Sequence, residues 1–227
     1  MKSSTNKHSR VKQRVKTAKQ RSSASTKWLE RQLNDPYVAM AKQEGYRARS
    51  AFKLIELDDK FHFLKKGACV VDLGAAPGGW TQIAVERVGS TPENPLVVGI
   101  DLLDVDPVAG AKTVRLDFLD DSAPETLKTM LGGRKADVVL SDMAPNTTGM
   151  RGLDHLRIMN LLENAYAFAC EVLEKNGAFV AKIFQGGTEK NLLAEMKKRF
   201  ESVRHAKPDS SRKDSSEFYV VATGFKG

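Results

Sequence analysis

The sequence predicts an α/β fold in which helices cover both faces of a mainly parallel sheet. After Gly67, short apolar runs alternate with helical segments, and several of the runs end in an acid. Continuous apolar strands of this kind are buried on both faces, as in parallel sheets. The last two strands lack a long helical connection, so at least one of them should pair antiparallel. The predicted strands are 68–72, 96–101, 112–116, 136–142, 178–184, 202–206 and 218–223.

Helical periodicity fills the segments between and before these strands. Residues 27–42 should form short helices that break near Asp35-Pro36, because proline disfavours helix at the preceding residue. Residues 27–227 are expected to form one domain. The other predicted helices are 49–60, 80–88, 122–131, 153–174 and 188–199.

The positive charge of the chain lies in its N-terminal segment. Residues 1–31 carry ten basic side chains and one acid, a net charge of +9, so the whole-chain charge of +8 leaves −1 elsewhere. Residues 1–26 have almost no large apolar side chain and should be disordered when free. A basic arm attracts nucleic acid because phosphate contacts release counterions. The alternative is a solvated terminus that has no specific partner.

Composition narrows the class of protein. The 41% hydrophobic and 28% charged shares are ordinary for a soluble globular protein, and no apolar run approaches the roughly 20 residues of a membrane span. No secretory signal is expected. Cys69 and Cys170 sit in apolar surroundings, which favours reduced core residues of a cytosolic protein. No His/Cys/carboxylate cluster has metal-ligand spacing, so no metal is expected.

A glycine-rich turn follows the first strand, at the edge where ligands bind in such sheets. Its sequence over 72–80 is DLGAAPGGW, which departs from the GxGxxG pattern of dinucleotide sites. Pro77 stands where a pyrophosphate would need a main-chain amide. The turn therefore suits a nucleoside without phosphate, such as S-adenosylmethionine. A plain tight turn is the alternative.

Two acids follow the next two strands. Asp101 could accept hydrogen bonds from two ribose hydroxyls, or it could cap a helix. Asp117 could accept a hydrogen bond from an adenine amino group, or it could be a capping or loop acid.

One lysine stands out within a predicted strand. Lys182 lies inside the apolar run 178–184, where an amine is costly unless it reaches a partner or a cavity. Asp142 ends the neighbouring strand. A lysine that snorkels at the sheet end is the alternative. Taken alone, Glu217 is a strand-start acid and Lys53 a helix-face lysine.

From about Ser25 to its C-terminus the chain resembles the FtsJ/RrmJ family of bacterial large-subunit ribosomal RNA uridine 2′-O-methyltransferases. The segments that carry the resemblance are YRARSAFKL, VVDLGAAPGGWTQ, DLLDVDP, VLSDMAPNTTG, AKIFQG and KPDSSRKDSSEFYVVATGFK. The resemblance implies a Rossmann-like methyltransferase fold, with a mainly parallel seven-stranded sheet and an antiparallel last strand. It implies a catalytic tetrad of Lys53, Asp142, Lys182 and Glu217. It implies S-adenosylmethionine contacts at Gly78, Trp80, Asp101, Asp117 and Asp142.

The same resemblance implies a uridine ribose of the large ribosomal subunit as the substrate. Lys182, with its charge suppressed by its surroundings, is the expected general base. Asp142 would hold the lysine amines and the hydroxyl in line with the methyl group, and Lys53 would orient the hydroxyl or stabilise developing negative charge on its oxygen. Glu217 would position the substrate or a lysine. A monomer is expected, since no obligate interface is apparent.

Three other functions are compatible with the sequence. A nucleotide-dependent oxidoreductase could share the fold class, although Pro77 argues against it. A ribosome-assembly protein without catalysis could retain the cofactor pocket. A cap or transfer-RNA 2′-O-methyltransferase could share the tetrad.

Overall fold

The computed structural model describes residues 14–15, 17, 22–145, 150–184, 190–212 and 215–227. Within these ranges seven strands form one sheet. The strands are β1 (Val70–Leu73), β2 (Val97–Asp101), β3 (Ala111–Arg115), β4 (Ala136–Ser141), β5 (Leu173–Phe184), β6 (Phe200–Ala206) and β7 (Glu217–Phe225). The helices are α1 (Ser23–Leu33), α2 (Pro36–Glu44), α3 (Ala51–Phe61), α4 (Gly79–Val88), α5 (Ala123–Leu131), α6 (Arg151–Val172) and α7 (Lys190–Arg199).

The strand order is β3-β2-β1-β4-β5-β7-β6, and β1 to β5 pair in parallel. The last strand, β7, is antiparallel to both of its neighbours. The predicted mainly parallel sheet with an antiparallel last strand is therefore confirmed. Most boundaries differ by one or two residues, and the largest difference in the sheet is at β5, which starts at Leu173 instead of residue 178. The helix predicted to reach residue 174 ends at Val172. Leu173 is extended and pairs with Ala136 at the start of β5.

The helices before the sheet begin earlier than the sequence suggested. α1 starts at Ser23, inside the predicted tail, where the Ser22 hydroxyl accepts a hydrogen bond from the Ser25 amide at 3.2 Å. The predicted break is confirmed, because Asp35 caps α2 and Pro36 is its first residue. Most of the predicted tail lies outside the described residues. None of the helices that the described ranges contain is both long and apolar enough to cross a bilayer.

Two apolar cores lie on opposite faces of the sheet. One contains Leu127, Phe168 and Phe179 and packs α5, α6 and α7 against the strands. The other contains Leu54 and Trp80 and packs α3 and α4. Covering both faces is what lets the central strands be apolar throughout.

Strand alternation decides which face carries Lys182. On β5, Phe179 and Ile183 belong to the α5–α7 core, whereas Val180 belongs to the α3–α4 core. Because side chains alternate along a strand, Lys182 falls on the α3–α4 face with Val180. Tyr219 is directly opposite Lys182 on β7 and belongs to the same core.

The topology gathers the functional side chains at one edge of the sheet. The strand order reverses at β1, and ligands in such sheets bind outside the carboxyl ends of strands at this point. Asp142 follows β4, next to the turn after β1. Since β7 runs antiparallel, its first residue Glu217 pairs with Phe184 at the carboxyl end of β5. The start of β7 therefore reaches the same edge as the ends of β1, β4 and β5.

Candidate active site

A cavity of about 390 Å³ opens at the carboxyl ends of β1, β2 and β3. This volume is in the range of small-molecule and cofactor pockets. Two of the predicted cofactor residues, Asp101 and Asp117, are in its wall, whereas Gly78, Trp80 and the Asp142 side chain are not. The lining residues are Gly74, Ile100, Asp101, Leu102, Asp117, Phe118, Leu119, Met143, Ala144, Pro145, Arg157, Asn160 and Leu161.

The two acids of this cavity are held by main-chain amides. Asp101 Oδ2 accepts a hydrogen bond from the Ala76 amide at 2.9 Å, and its Oδ1 accepts one from Leu103 at 2.8 Å. Asp117 Oδ1 accepts one from Leu119 at 2.9 Å. Each carboxylate oxygen has a second lone pair that could accept a hydrogen bond from a ligand. Asp101 thus joins two loops rather than capping a helix.

Gly78 and Trp80 have structural roles that the sequence did not reveal. Gly78 has φ +110°, and a Cβ there would lie 2.6 Å from Arg47 Nη1. Trp80 is 2% exposed, donates from Nε1 to the Ser50 carbonyl at 2.8 Å, and packs on Tyr219 with ring centroids 5.6 Å apart. The Trp80 side chain is thus engaged in packing. A cofactor contact from Trp80 would have to use its main chain.

Arg47 fastens the glycine turn to the following loop. Its guanidinium donates to the carbonyls of Pro77 at 3.4 Å, Asp106 at 2.5 Å and Pro107 at 2.8 Å. The loop after β2, which contributes Leu102 to the cavity, is thereby tied to the turn after β1.

Lys182 and Asp142 form a buried pair beside this cavity. Lys182 Nζ lies 3.0 Å from Asp142 Oδ1 and donates to the Asp142 carbonyl at 2.7 Å. The Tyr219 hydroxyl donates to the same Oδ1 at 2.7 Å. The Lys182 side chain is 7% exposed. Lys182 therefore meets a carboxylate and a carbonyl, rather than the purely apolar surroundings of its strand.

A second ion pair lies on the other side of Tyr219. Lys53 Nζ, on α3, is 3.0 Å from Glu217 Oε2 and 5.7 Å from the centroid of the Tyr219 ring. Lys53 is buried, not the exposed helix-face lysine that its sequence alone would suggest. All four residues of the predicted tetrad therefore come together around Tyr219.

The two lysines keep the nearby carboxyls ionised. Burial would raise the pKa of Asp142, but the charges of Lys182 and Lys53 outweigh burial and lower that pKa below its ordinary value of 3.8. The hydrogen bond from Tyr219 lowers it further. Burial likewise opposes ionisation of Glu217, and Lys53 is the largest of the influences that lower its pKa.

Asp72 is an acid whose role sequence reasoning did not assign. It is fully buried at the end of β1, and burial raises its pKa from 3.8 to about 7. Thr81 Oγ1 donates to its Oδ2 at 2.7 Å and opposes that rise, whereas the charges of Asp142 and Asp101 add to it. Asp72 Oδ1 has no hydrogen-bond partner within the described ranges. Despite these acids, no metal-binding group of three or more His, Cys, Asp or Glu occurs among the residues described.

Tyr219 is the other residue that sequence reasoning missed. A sequence pattern could have indicated it, because it lies two positions after Glu217 in the same strand and so shares its face. Asp72 carried a weaker pattern, that of an acid ending a buried strand. Neither pattern reveals which partners the side chain meets across the sheet.

Comparison with known proteins gives consistent matches. A family model described as FtsJ-like methyltransferase matches residues 46–225. The ribosomal RNA large subunit methyltransferase E of Granulibacter bethesdensis is 62% identical over 212 residues, which are 93% of this chain and 90% of that protein. The same-named protein of Paramagnetospirillum magneticum is 62% identical over 216 residues, 94% of this chain and 88% of its own length.

A solved structure with lower sequence identity also matches this chain. The crystal structure of a ribosomal RNA methyltransferase from Plasmodium falciparum is 33% identical, with a TM-score of 0.69. The match covers 80% of this chain and 100% of that one. With the family model matching most of its length, this chain belongs to the FtsJ-like methyltransferase family.

Proposed function

We propose that this protein transfers a methyl group from S-adenosylmethionine to the 2′-hydroxyl of a uridine ribose in large-subunit ribosomal RNA. The observation that carries the proposal is the pair of buried lysine–carboxylate contacts around Tyr219, beside a cavity of nucleoside size. The names of the curated relatives support large-subunit ribosomal RNA as the substrate. Uridine, and the assembled 50S subunit as the form of the substrate, rest on the family resemblance. A bacterial ribosomal substrate would place the reaction in the cytoplasm.

The residues around the cavity at the ends of β1 to β3 fit this cofactor. Its wall combines apolar side chains, among them Ile100, Phe118 and Leu119, with the carboxylates of Asp101 and Asp117. Apolar walls suit an adenine ring, and the carboxylates suit ribose hydroxyls and an amino group. The cofactor, when bound, supplies a methyl group on a positively charged sulfur.

The hydrogen bonds of Lys182 suit a general base. A neutral amine has two N–H donors and one lone pair, and Lys182 meets two acceptors of Asp142 at 2.7 and 3.0 Å. Once the resting ammonium has lost a proton to solvent, the neutral form can keep both contacts and present its lone pair to the ribose hydroxyl. After it accepts the hydroxyl proton, the ammonium is stabilised by the Asp142 carboxylate.

Lys53 and Glu217 would assist from the other side of Tyr219. The Lys53 ammonium can stabilise negative charge that develops on the hydroxyl oxygen, in a site that excludes most water. Glu217, at 3.0 Å, holds the Lys53 amine in place. In this proposal Asp142 and Tyr219 fix Lys182, and Glu217 fixes Lys53.

Ligand preference and RNA preference test the proposal separately. Titration calorimetry in the presence of a chelator should show one site for S-adenosylmethionine and far weaker binding of NAD. Labelled cofactor should transfer its label to large ribosomal subunits and not to small subunits or transfer RNA. Equal affinity for NAD would refute the cofactor assignment. If the label appears mainly in transfer RNA, the substrate is transfer RNA and not large-subunit ribosomal RNA.

A further inference from the structure

A second cavity, of about 350 Å³, lies next to the Lys53–Glu217 pair. Its wall includes Arg31, Arg49 and Arg212, and it also includes Lys53 and Glu217. We call it the arginine cavity. It shares no lining residue with the cavity at the ends of β1 to β3, and of these two cavities it is the one whose wall contains tetrad residues.

A buried acid orients two of these arginines. Asp35 Oδ2 lies 2.6 Å from Arg49 Nη1 and 3.3 Å from Arg212 Nε, and the Asp35 side chain is 6% exposed. Arg49 also donates through Nη2 to the Ser210 carbonyl. Arg49 is therefore largely engaged by the protein. Arg212 is held only through Nε and is 26% exposed, and its two Nη groups make no hydrogen bond with any described residue.

Charge counting shows what the arginine cavity can accept. The residues that line the cavity are three arginines and Lys53 against one acid, Glu217, and with Asp35 added these six side chains carry a net charge of +2. A concave surface with this surplus of positive charge, and a guanidinium whose Nη groups are not engaged by any described residue, suits an anion with several oxygens. Guanidinium groups bind phosphate through paired hydrogen bonds.

The chemistry of the proposed reaction specifies which phosphate this is. In RNA the carbon that bears the reacting 2′-hydroxyl is bonded to the carbon that bears the 3′-phosphodiester. A ribose with its hydroxyl at Lys182 therefore has a phosphate only a few bonds away. The arginine cavity begins at Lys53 and Glu217, the far side of the tetrad.

We infer that the arginine cavity binds the phosphodiester that follows the target ribose, with Arg212 and Arg31 as its contacts. The inference rests on the proposed function, because it takes RNA as the substrate. Asp35 acts as a positioning residue that holds Arg212, and Arg49 in turn holds the Asp35 carboxylate. The phosphate contact fixes the ribose so that its hydroxyl meets Lys182.

Arg212→Ala tests this inference on large ribosomal subunits that lack the modification. We expect KM for the subunits to rise about 10- to 100-fold, the range for a lost hydrogen bond to a charged group. The slope of log affinity against log salt concentration should fall by about 0.7 to 0.9, as for one lost phosphate contact. S-adenosylmethionine affinity and the melting temperature should stay near the wild-type values. Arg212→Lys should retain the salt slope and recover part of the affinity.

Two further variants separate a phosphate contact from a structural effect. Arg31→Ala should act in the same direction without touching the Asp35 contacts, even if Arg212→Ala folds poorly. Lys175→Ala removes one charge near the start of β5, about 23 Å from Lys182 along the strand, and should leave KM and the salt slope unchanged. Wild-type KM and slope in both arginine variants would overturn the inference. The affinity and its salt slope are measured by equilibrium binding without turnover, so a failure of methyl transfer in the wild type, which would leave KM unmeasurable, would instead count against the proposed function.

Discussion

At the scale of single residues, the surroundings of Lys182 determine what its amine can do. Two acceptors from Asp142 orient Nζ at 2.7 and 3.0 Å, and Tyr219 in turn fixes the carboxylate. The amine is thus held in one position before any substrate binds. Such preorganisation lowers the cost of reaching the reactive geometry.

Replacing Lys182 should separate chemistry from cofactor binding. We expect Lys182→Ala to lower kcat about 10²- to 10⁴-fold, the usual contribution of a general base. Cofactor affinity should change little, because Lys182 does not line the cavity at the ends of β1 to β3. Lys175→Ala, on the same strand, is the matched control and should turn over normally. If Lys182→Ala retains near-wild-type kcat, positioning alone must account for the rate.

Tyr219→Phe should move the titration of the Asp142 carboxyl to higher pH. The Tyr219 hydrogen bond is one of the interactions that lower the pKa of Asp142, so its loss should raise that pKa. Carbon-13 NMR of the Asp142 carboxyl follows this shift directly. The fall in kcat at neutral pH should be smaller than for Lys182→Ala, since the amine remains. An unshifted carboxyl titration would show that Tyr219 does not control the ionisation of Asp142.

At the scale of elements, the turn before α4 shows what a local sequence pattern can predict and which contacts it cannot. The glycine-rich turn was predicted as a ligand site, and the structure adds the reason for one of its glycines. Gly78 has a positive φ and lies against Arg47, which fastens the turn to the loop after β2. That contact joins residues 31 positions apart in sequence, so no local pattern could show it.

Gly78→Ala should therefore weaken cofactor binding as well as the fold. A side chain at φ +110° is strained, and its Cβ would lie 2.6 Å from Arg47 Nη1. Gly132→Ala is the matched control, because Gly132 also has positive φ (+64°) but nothing lies within 4 Å of an added Cβ. Unfolding in urea and calorimetry with S-adenosylmethionine should show a larger loss of stability for Gly78→Ala, and a loss of affinity for that variant alone. If the two variants lose the same stability and the same cofactor affinity, the contact with Arg47 does not explain the effect of Gly78→Ala.

The direction of the strands was predictable, whereas their order in the sheet was not. Apolar runs and acid-ended strands predicted the parallel sheet, and the short connection before β7 predicted an antiparallel pair. The insertion of β7 between β5 and β6 depends on long-range pairing, which places Tyr219 opposite Lys182. The family resemblance supplied the tetrad, but only this pairing shows that Tyr219 joins its two halves.

At the scale of the whole molecule, the basic N-terminal segment carries the surplus positive charge of the chain. Among the described residues, the buried members of both apolar cores begin at Ala51, and Tyr46 packs against one of them. Ser22 caps α1, so a truncation should keep it and delete residues 1–21, which carry eight basic side chains and no acid. The described core and the proposed catalytic residues all lie beyond this segment.

Deleting residues 1–21 should weaken RNA binding and reduce its salt dependence. Each lost phosphate contact reduces the log–log salt slope by about 0.7 to 0.9, and a basic arm rarely makes every possible contact, so we expect a change of roughly two to four. Turnover at saturating ribosomal subunits should be unchanged. Binding at several salt concentrations compares the two forms. An identical slope would show that the segment does not contact RNA, and a fall in saturated turnover would show that it helps to form the active site.

In the proposed mechanism, the Lys182–Asp142 pair activates a ribose 2′-hydroxyl of large-subunit RNA for methylation. To test this, wild-type protein and Lys182→Ala are each incubated with labelled S-adenosylmethionine and large subunits from cells that lack the enzyme. The RNA is then hydrolysed in alkali, which does not cleave after a 2′-O-methylated nucleotide. We expect the wild type to place the label in one alkali-resistant dinucleotide that contains uridine, and Lys182→Ala to place almost none. Label in a methylated base, released as a mononucleotide, or equal labelling by both proteins, would contradict it.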